Sequence, residues 1–224
     1  FDDAAGRAIG MVGDTVGMRL RDRCAWRWSF AVTDPETTAL LAGLGPIVEV
    51  GAGTGWWAHR ITLAGGDVVA YDAFPPPDNE YHKGAPTWHE VARMDAAEAA
   101  AMHPDRALFV CWPPYGEPMA ADAVEAYHRA GGRMVALIGE GSGGCTGDDR
   151  LFDLLGEERW SSDDNDEPAA EALFREVEQR PLLTWMGMHD ALTIYERSNS
   201  SARPGRVAPN PGRAVIAGAE GDAT

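Results

Sequence analysis

The middle of the chain alternates between short apolar segments and longer amphipathic ones. The apolar segments are rich in Val, Ile and Leu and have the length of buried strands. They are residues 47–50, 68–71, 107–111 and 134–138, and helix-like segments at about residues 55–63, 96–102 and 119–129 lie between them. A further strand, the third in chain order, is predicted directly before Asp95. Strands that alternate with helices predict a parallel sheet covered on both faces. The pattern therefore predicts an α/β fold with a doubly wound sheet.

A helical extension is predicted before the first strand. Between residues 2 and 23, apolar side chains recur at mixed three- and four-residue spacings, which is typical of an amphipathic helix. Asp34 and Pro35 then predict the cap and first turn of a short helix that runs towards Gly43. We assign residues 1–44 to this extension.

The segments after the fifth predicted strand indicate two further helices and a closing strand pair. The expected elements are helices at residues 150–155 and 169–177, an acidic loop at residues 161–167, and strands at residues 182–186 and 191–195. Because a short loop around Gly187 joins the last two strands, the mostly parallel sheet should close with an antiparallel strand.

Length and composition agree with a single globular domain. The 224 residues are 45% hydrophobic and 24% charged, which is ordinary for a folded protein of this size. Residues 198–224 are rich in Ser, Ala, Gly and Pro and predict a flexible tail outside the core. We therefore expect one domain over residues 1–197.

Charge and hydropathy argue against several classes of partner. A formal charge of −16 would repel the phosphate backbone that supplies most nucleic-acid affinity. Neither a long apolar run nor the order of a signal peptide is found, so membrane insertion and secretion are not expected. The cysteines and histidines have no metal-ligand spacing, and we expect no metal. The sequence predicts a cytoplasmic protein with a small-molecule substrate and carries no signal for an oligomeric state.

A glycine-rich turn follows the first predicted strand. Gly51, Gly53 and Gly55 lack the β-carbon that would keep a ligand away from backbone N–H groups. A dinucleotide-binding turn would carry its third glycine where this chain has Trp56. Asp72 ends the next strand, where a carboxylate can accept hydrogen bonds from both hydroxyls of an adenosine ribose. This order favours S-adenosylmethionine (SAM) over NAD, and the simpler alternative is a tight turn with a solvated Asp.

Residues 46 to about 140 resemble the cofactor half of class I SAM-dependent methyltransferases. The resemblance implies a Rossmann-like fold and SAM as the cofactor. It implies that Glu49 helps to organise the methionine end of the site, that Asp72 binds the ribose, and that Asp95 faces the adenine. Asp95 can equally cap the helix that follows it. The implied cofactor-binding residues are Glu49, Gly51, Ala52, Gly53, Thr54, Gly55, Asp72, Ala73, Asp95, Ala96 and Trp112.

Trp112, Pro113, Pro114 and Tyr115 follow the fourth predicted strand. They resemble the Asp/Asn-Pro-Pro-Tyr signature of amino methyltransferases, in which the first residue accepts a hydrogen bond from the substrate amine. The indole of Trp112 can only donate, so methylation of an adenine N6 amine is not favoured. The segment predicts a pocket with aromatic walls, and a Pro-Pro turn with packed aromatic side chains is the simpler alternative.

A second glycine-rich segment, residues 141–149, follows the fifth predicted strand and predicts a loop that approaches a ligand. Together with residues 112–115 it resembles a group of methyltransferase-like proteins, which extends the resemblance to about residue 197 and implies no substrate. Cys145 in this loop has no His beside it in sequence, so we predict a partly buried structural thiol.

The candidate catalytic residues are Tyr115, Glu140 and His189. Glu140 and His189 lie at predicted ends of strands and can act as bases, although a structural hydrogen-bonding role fits the sequence equally well. In this superfamily a segment such as that around Trp28 and Phe30 folds over the cofactor as a lid, and the alternative here is a hydrophobic staple before the next helix. The candidate substrate-binding residues are Trp28, Phe30, Trp56, Pro113 and Pro114.

The sequence thus predicts a SAM-dependent methyltransferase that acts on a nitrogen or oxygen atom of a small molecule. A dedicated base is not required, because the leaving group is already activated and alignment can supply much of the rate. Three alternatives stay open. They are a cyclase or lyase that uses SAM on the same fold, a non-catalytic SAM-binding module, and an NAD-dependent reductase.

Overall fold

The computed structural model describes residues 16–157 and 172–198. Its helices are α1 (described over residues 16–27), α2 (Pro35–Gly43), α3 (Trp56–Leu63), α4 (Ala96–Met102), α5 (Met119–Arg129) and α6 (Asp149–Leu155). Its strands are β1 (Ile47–Val50), β2 (Val68–Asp72), β3 (Val91–Arg93), β4 (Ala107–Cys111), β5 (Met134–Gly139), β6 (Phe174–Pro181) and β7 (Ala191–Arg197).

The described strands form one sheet in the order β3-β2-β1-β4-β5-β7-β6. β1 pairs in parallel with β2 and β4, and parallel pairing continues outward to β3 and β5. β7 lies antiparallel between β5 and β6. The first five strands have the order of a Rossmann-like sheet, with the change of direction between β1 and β4. The predicted α/β fold, with a mostly parallel sheet and an antiparallel closing strand, is confirmed.

Local sequence signals explain where two of the helices begin. Asp34 accepts a hydrogen bond from the Thr37 backbone N–H at 2.9 Å, and Pro35 lies in the first turn of α2. Gly55 has a φ of 73°, a value that a side chain would strain, and it turns the chain from β1 into α3.

Helices cover both faces of the sheet. Val48 and Val50 of β1 pack with α4 and α5, whereas Ile47 of the same strand packs with α3. Successive side chains of a strand point to opposite faces. This alternation puts Glu49 on the α3 face, among apolar side chains.

Two predictions on the C-terminal side are wrong. From Phe174 onward the predicted helix at residues 169–177 is instead strand β6, and residues 182–186 form the loop after it rather than a strand. β6 is an edge strand, and its residues after Phe174 are exposed. It therefore lacks the alternating apolar positions that mark a strand, while its Glu and Arg residues favour a helix.

Several predicted segments lie outside the described residues: the N-terminal helix before residue 16, the acidic loop at residues 161–167 and the tail from residue 199. α1 continues to residue 27, beyond the predicted end near residue 23. Within the described ranges, no helix is long and apolar enough to cross a membrane. The division into a domain at residues 1–197 and a tail stays a prediction.

Candidate active site

The candidate site residues lie along one edge of the sheet. The parallel strands β1, β2, β4 and β5 end at this edge, and the antiparallel strand β7 begins there. The loops after the parallel strands therefore meet the loop before β7. Doubly wound proteins bind their ligands at this carboxyl edge of the sheet.

The loop between β1 and α3 requires glycine at three positions. Gly51, Gly53 and Gly55 have φ values of 65°, 53° and 73°, in the left-handed region that other residues rarely adopt. The Ala52 N–H donates to the Tyr71 carbonyl of β2 at 3.0 Å. This glycine loop is thus held against the neighbouring strand.

Asp72 connects the glycine loop to the end of β2. It is buried, and its Oδ2 accepts a hydrogen bond from the Gly53 N–H at 2.9 Å. Its Oδ1 accepts one from the Phe74 N–H at 2.8 Å, and the Asn79 side-chain nitrogen lies 3.5 Å from both oxygens. A carboxylate can accept about four hydrogen bonds, and the two contacts from Asn79 at 3.5 Å are long enough for ligand hydroxyls to replace them.

Glu49 is a buried acid on β1, directly before the glycine loop, and is 2% exposed. Burial raises the pKa of its carboxyl to about 8, the charge of Asp72 adds to the rise, and a backbone hydrogen bond from Ala58 opposes it. Its Oε2 has no hydrogen-bond partner in the described part of the chain. Buried polar atoms without partners are rare, so this oxygen marks a position where a ligand group can bind.

Glu49→Gln is expected to remove a pH dependence of stability. The folded-state pKa of about 8 lies above the ordinary value of 4.5, so unfolding becomes more favourable as the pH rises between these values. Over that window the free energy of unfolding should fall by up to about 1.4 kcal/mol per pH unit. Glutamine does not ionise, so the variant should lack this contribution.

Urea unfolding at about pH 5 and about pH 8 measures the effect. The exposed acid Glu90 provides the matched control, Glu90→Gln. If Glu49→Gln and the wild type lose equal stability between the two pH values, Glu49 does not stay protonated in the folded protein.

The N-terminal strap, residues 26–33, lies over the glycine loop and the start of α3. The Thr54 hydroxyl donates to the Trp28 carbonyl at 2.5 Å, and the Trp56 indole N–H donates to a threonine of the strap at 3.1 Å. Trp28 and Trp56 have ring centres 6.1 Å apart. Trp57, in contrast, is buried against the sheet. The structure thus places Trp28 and Trp56 together beside the glycine loop.

The β2 loop, residues 79–88, is the second segment that covers the glycine loop. The Trp26 indole N–H of the strap donates to the Lys83 carbonyl at 3.0 Å. In return, the Trp88 indole N–H of the β2 loop donates to the Arg27 carbonyl at 2.8 Å. Two indole hydrogen bonds therefore join the strap to the β2 loop.

His82 of the β2 loop lies directly against Gly53. A β-carbon on Gly53 would come within 2.8 Å of the His82 ring, whose Nδ1 lies 3.0 Å from the Trp26 carbonyl. Burial lowers the pKa of His82, although the Trp26 carbonyl and the charge of Asp72 oppose this. The sequence patterns do not predict His82 as a site residue. The available signal is Asn79 three residues earlier, whose side chain accepts the His82 N–H at 3.2 Å.

Trp112 has a strained backbone and a fixed side chain. Its φ of 51° lies in the left-handed region, which bulky residues rarely adopt. Its backbone N–H donates to the Ile138 carbonyl at 2.7 Å, and its indole N–H donates to Asp190 Oδ1 at 2.8 Å. Its ring stacks on Phe30 of the strap with ring centres 5.5 Å apart. Trp112 therefore links the strap to the residue before β7.

Glu140, Cys145 and His189 meet at the end of β5. The Glu140 carboxylate accepts the Cys145 backbone N–H at 2.8 Å and the His189 backbone N–H at 2.9 Å. His189 Nδ1 lies 3.5 Å from Glu140 Oε1, within ion-pair range when the imidazole is protonated. Burial acts to raise the pKa of Glu140, but these hydrogen bonds outweigh it and hold the pKa below its usual value. The structure thus brings the two predicted bases together.

The prediction of a partly buried Cys145 thiol is wrong, because Cys145 is exposed. Its backbone N–H donates to Glu140 at 2.8 Å, and its thiol is hydrogen-bonded to the same carboxylate. The hydrogen bond to Glu140 raises the pKa of the thiol, and burial and then the charge of Glu140 add to the rise. A protonated thiol is a poor nucleophile, which disfavours covalent catalysis at this position.

Tyr115 does not join the Glu140 group. It is 74% exposed and lines a cavity of about 220 Å³, whose other walls are Gly116, the loop after β5, and Asp149 and Phe152 of α6. The Pro113 carbonyl accepts the Gly147 N–H at 3.0 Å, so the turn that contains Pro113 and Pro114 is fixed to that loop.

Asp95 caps α4, since its Oδ1 accepts the Ala97 backbone N–H at 2.9 Å. Ala96 is buried in the core, and Ala73 follows β2 with its carbonyl accepting the Arg93 side chain at 3.0 Å. The contact of Asp95 and Ala96 with an adenine ring stays a prediction.

Comparisons with known proteins find distant structural similarity. Neither a protein-family model nor a curated relative matches the sequence. Magnesium protoporphyrin IX methyltransferase from Synechocystis with bound SAM is 12% identical, with 73% of this chain and 77% of that chain covered and a TM-score of 0.45. 1,6-Didemethyltoxoflavin-N1-methyltransferase from Burkholderia thailandensis is 15% identical, with 89% of this chain and 92% of that chain covered and a TM-score of 0.43. A SAM-dependent methyltransferase from Archaeoglobus fulgidus is 12% identical, with 73% of this chain and 95% of that chain covered and a TM-score of 0.40. The fold assignment rests on the strand order of this chain itself.

Proposed function

We propose that this chain is a SAM-dependent methyltransferase that acts on a nitrogen or oxygen atom of a small molecule. The observation that carries the proposal is the glycine loop after β1, joined through the Gly53 N–H to the carboxylate of Asp72 at the end of β2. An adenosine ligand needs both a backbone that it can approach closely and a carboxylate that accepts its ribose hydroxyls. Trp56, in place of the third glycine of a dinucleotide-binding turn, supports SAM over NAD.

The residues around the glycine loop fit this cofactor, which supplies a methyl group activated by a positively charged sulfur. The unpartnered Oε2 of Glu49 can accept a hydrogen bond from an ammonium group, and Asp72 can accept ribose hydroxyls in place of its long Asn79 contacts. The space over Gly51 and Gly53 holds the side chains of Met119 and His82. Cofactor binding therefore requires these two side chains to move.

Glu140 and His189 are the residues that can accept the proton of the methyl acceptor. A neutral His189 imidazole takes a proton from an O–H or N–H group, and the Glu140 carboxylate, 3.5 Å from Nδ1, stabilises the imidazolium that results. The His189 side chain is 87% exposed, so it can pass this proton to solvent. Glu140 also orients the His189 backbone through the hydrogen bond at 2.9 Å.

Titration calorimetry with S-adenosylhomocysteine (SAH) and, separately, with NADH tests the cofactor assignment. We expect binding of SAH, and binding of NADH alone would overturn the proposal. Incubation with SAM and analysis of the product then separates the reaction classes. Formation of SAH indicates methyl transfer, whereas methylthioadenosine indicates a cyclase or lyase.

His82→Ala is expected to tighten the binding of SAH. His82 lies against Gly53, and a site that must open before binding has its apparent affinity reduced by the fraction of time that it is open. The variant should gain up to about tenfold in affinity, the factor for a site that is open about one-tenth of the time. Calorimetry measures this, with the exposed neighbour Lys83→Ala as control. Weaker binding by His82→Ala would instead identify His82 as a ligand contact.

One observation favours a second candidate, a non-catalytic SAM-binding module. Trp112 stands where amino methyltransferases carry a hydrogen-bond acceptor, and its indole N–H is used by Asp190. Tight binding of SAH without turnover across amines, phenols and carboxylates would favour this candidate over the enzyme.

A further inference from the structure

Two buried side chains beside Trp112 have polar atoms without partners. Asp190 is 2% exposed, and its Oδ1 accepts the Trp112 indole N–H at 2.8 Å. Its Oδ2 has no hydrogen-bond partner among the described residues, and the same holds for the Nε of Arg21, which is 8% exposed. Such atoms are rare because each has lost its hydration without replacement.

Arg21 and Asp190 both contact Trp112, Arg21 over its ring and Asp190 at its indole N–H. The guanidinium carbon of Arg21 lies 5.0 Å from the ring centre of Trp112 and 5.7 Å from that of Phe30. The charge of Arg21 also favours the Asp190 carboxylate, against the burial that raises its pKa. Within the described residues, Arg21 makes its ion pair with Asp22, at 3.9 Å, and not with Asp190. The Arg21 Nε donor and the Asp190 Oδ2 acceptor thus belong to side chains that both contact Trp112, and no hydrogen bond joins them.

The backbone of Trp112 supports a binding role at this position. A φ of 51° is maintained only where the surroundings impose it, and strain of this kind concentrates at ligand sites. The strained turn and the hydrogen bond to Asp190 fix the indole of Trp112. Asp190 Oδ1 is then occupied by the indole N–H, and Oδ2 is left without a partner. His189 directly precedes Asp190 in the chain and lies 3.5 Å from Glu140, so the proposed base lies close by.

We propose that Asp190 and Arg21 bind the methyl acceptor, and that this acceptor is a small aromatic molecule with an O–H or N–H group next to a carboxylate. Asp190 Oδ2 accepts the hydrogen bond of the O–H or N–H group and receives its proton, which the neighbouring His189 then takes up, and Arg21 binds the carboxylate. The rings of Trp112 and Phe30 contact the aromatic ring. The inference rests on the proposed function and names its substrate class. Asp190 supplies the acceptor that Trp112 cannot.

Binding of small aromatic probes to the SAH complex tests the inference. Salicylate and anthranilate each carry a carboxylate next to an O–H or N–H group, whereas phenol, aniline and benzoate carry one of the two groups. We expect salicylate or anthranilate to bind at least about tenfold more tightly than any single-group compound, because a site with two polar anchors rejects molecules that leave one unpaired. Equal affinities for all five probes would overturn the inference.

The variants Asp190→Asn and Arg21→Met test whether these two side chains cause the preference for probes that carry both groups. Asparagine keeps an oxygen for the Trp112 indole but presents N–H groups where Oδ2 lies, and methionine keeps part of the apolar stem of Arg21. Each variant should lose the preference of about tenfold for two-group probes while SAH affinity changes by less than about twofold. The exposed residues Arg23 and Asp105 provide the controls Arg23→Met and Asp105→Asn.

The outcomes separate this inference from the proposed function. If wild-type protein does not bind SAH, the proposed function fails. If it binds SAH but shows no preference for two-group probes, the inference alone fails. A water that merely bridges Arg21 and Asp190 would give this second result, together with lower stability of both variants in urea unfolding.

Discussion

His189→Ala is expected to lower the turnover number about 10²- to 10⁴-fold, the usual contribution of a positioned general base. His189 lies at the carboxyl edge of the sheet, with its Nδ1 3.5 Å from Glu140 Oε1. Binding of SAH should persist, because His82 and Met119 are the side chains that lie over the glycine loop. The effect should therefore fall on turnover and not on cofactor affinity.

Initial rates of SAH formation measure this effect once a methyl acceptor is known. His128→Ala provides a control, because His128 lies in the last turn of α5 and packs on Phe174, away from the site. Added imidazole should restore part of the rate of His189→Ala, which a purely structural role of His189 would not allow. Wild-type turnover in His189→Ala would mean that the reaction proceeds without this base.

Glu140 is suited to support a base because it stays ionised. The Cys145 and His189 hydrogen bonds hold the pKa of Glu140 below its usual value of 4.5 despite burial. The stability that Glu140 contributes is therefore present above about pH 4.5 and is lost as the pH falls through its lower folded-state pKa. At neutral pH the carboxylate is therefore available to an imidazolium at position 189.

The centre of the sheet is easier to predict from sequence than its edge. β1 and β4 are buried almost throughout and appear in the sequence as short apolar runs. β6 is paired on one side only and exposes every residue after Phe174. Its charged residues fit a helical pattern equally well, because what makes it a strand is its pairing with β7, which local sequence does not encode.

The site likewise has a part that the sequence predicts and a part that it does not. The glycine loop and Asp72 belong to one strand-helix-strand unit, so their residue types and spacing carry the signal. Asp190 and Trp112 are 78 residues apart, and their contact depends on β7 lying beside β5. Sequence patterns do not reveal such pairs.

The strap is an intermediate case. The sequence leaves two roles open for Trp28 and Phe30, a lid over the cofactor or a staple before α2. The Thr54 hydroxyl bond to the Trp28 carbonyl and the stacking of Phe30 on Trp112 put the strap across the carboxyl edge of the sheet. Its contacts with His82 hold that side chain against Gly53 of the glycine loop.

Asp72→Ala is expected to weaken SAH binding roughly 10- to 100-fold, because hydrogen bonds to a charged group contribute about 1.5–3 kcal/mol. Two causes add to this effect. The variant loses the acceptor proposed for the ribose hydroxyls, and it leaves the N–H groups of Gly53 and Phe74 without the partners that hold the glycine loop. Calorimetry gives the affinity and urea unfolding gives the stability. Asp78→Ala, at an exposed acid of the same segment, is the control.

A SAH analogue without the ribose hydroxyls separates these two causes. If Asp72 binds the ribose, the analogue should bind weakly to wild-type protein and lose little further affinity in Asp72→Ala, because the contact is already absent. If Asp72 only holds the glycine loop, the variant should weaken SAH and the analogue by the same factor. Unchanged SAH affinity in a folded Asp72→Ala protein would exclude both roles, and with them the observation on which the proposed function rests.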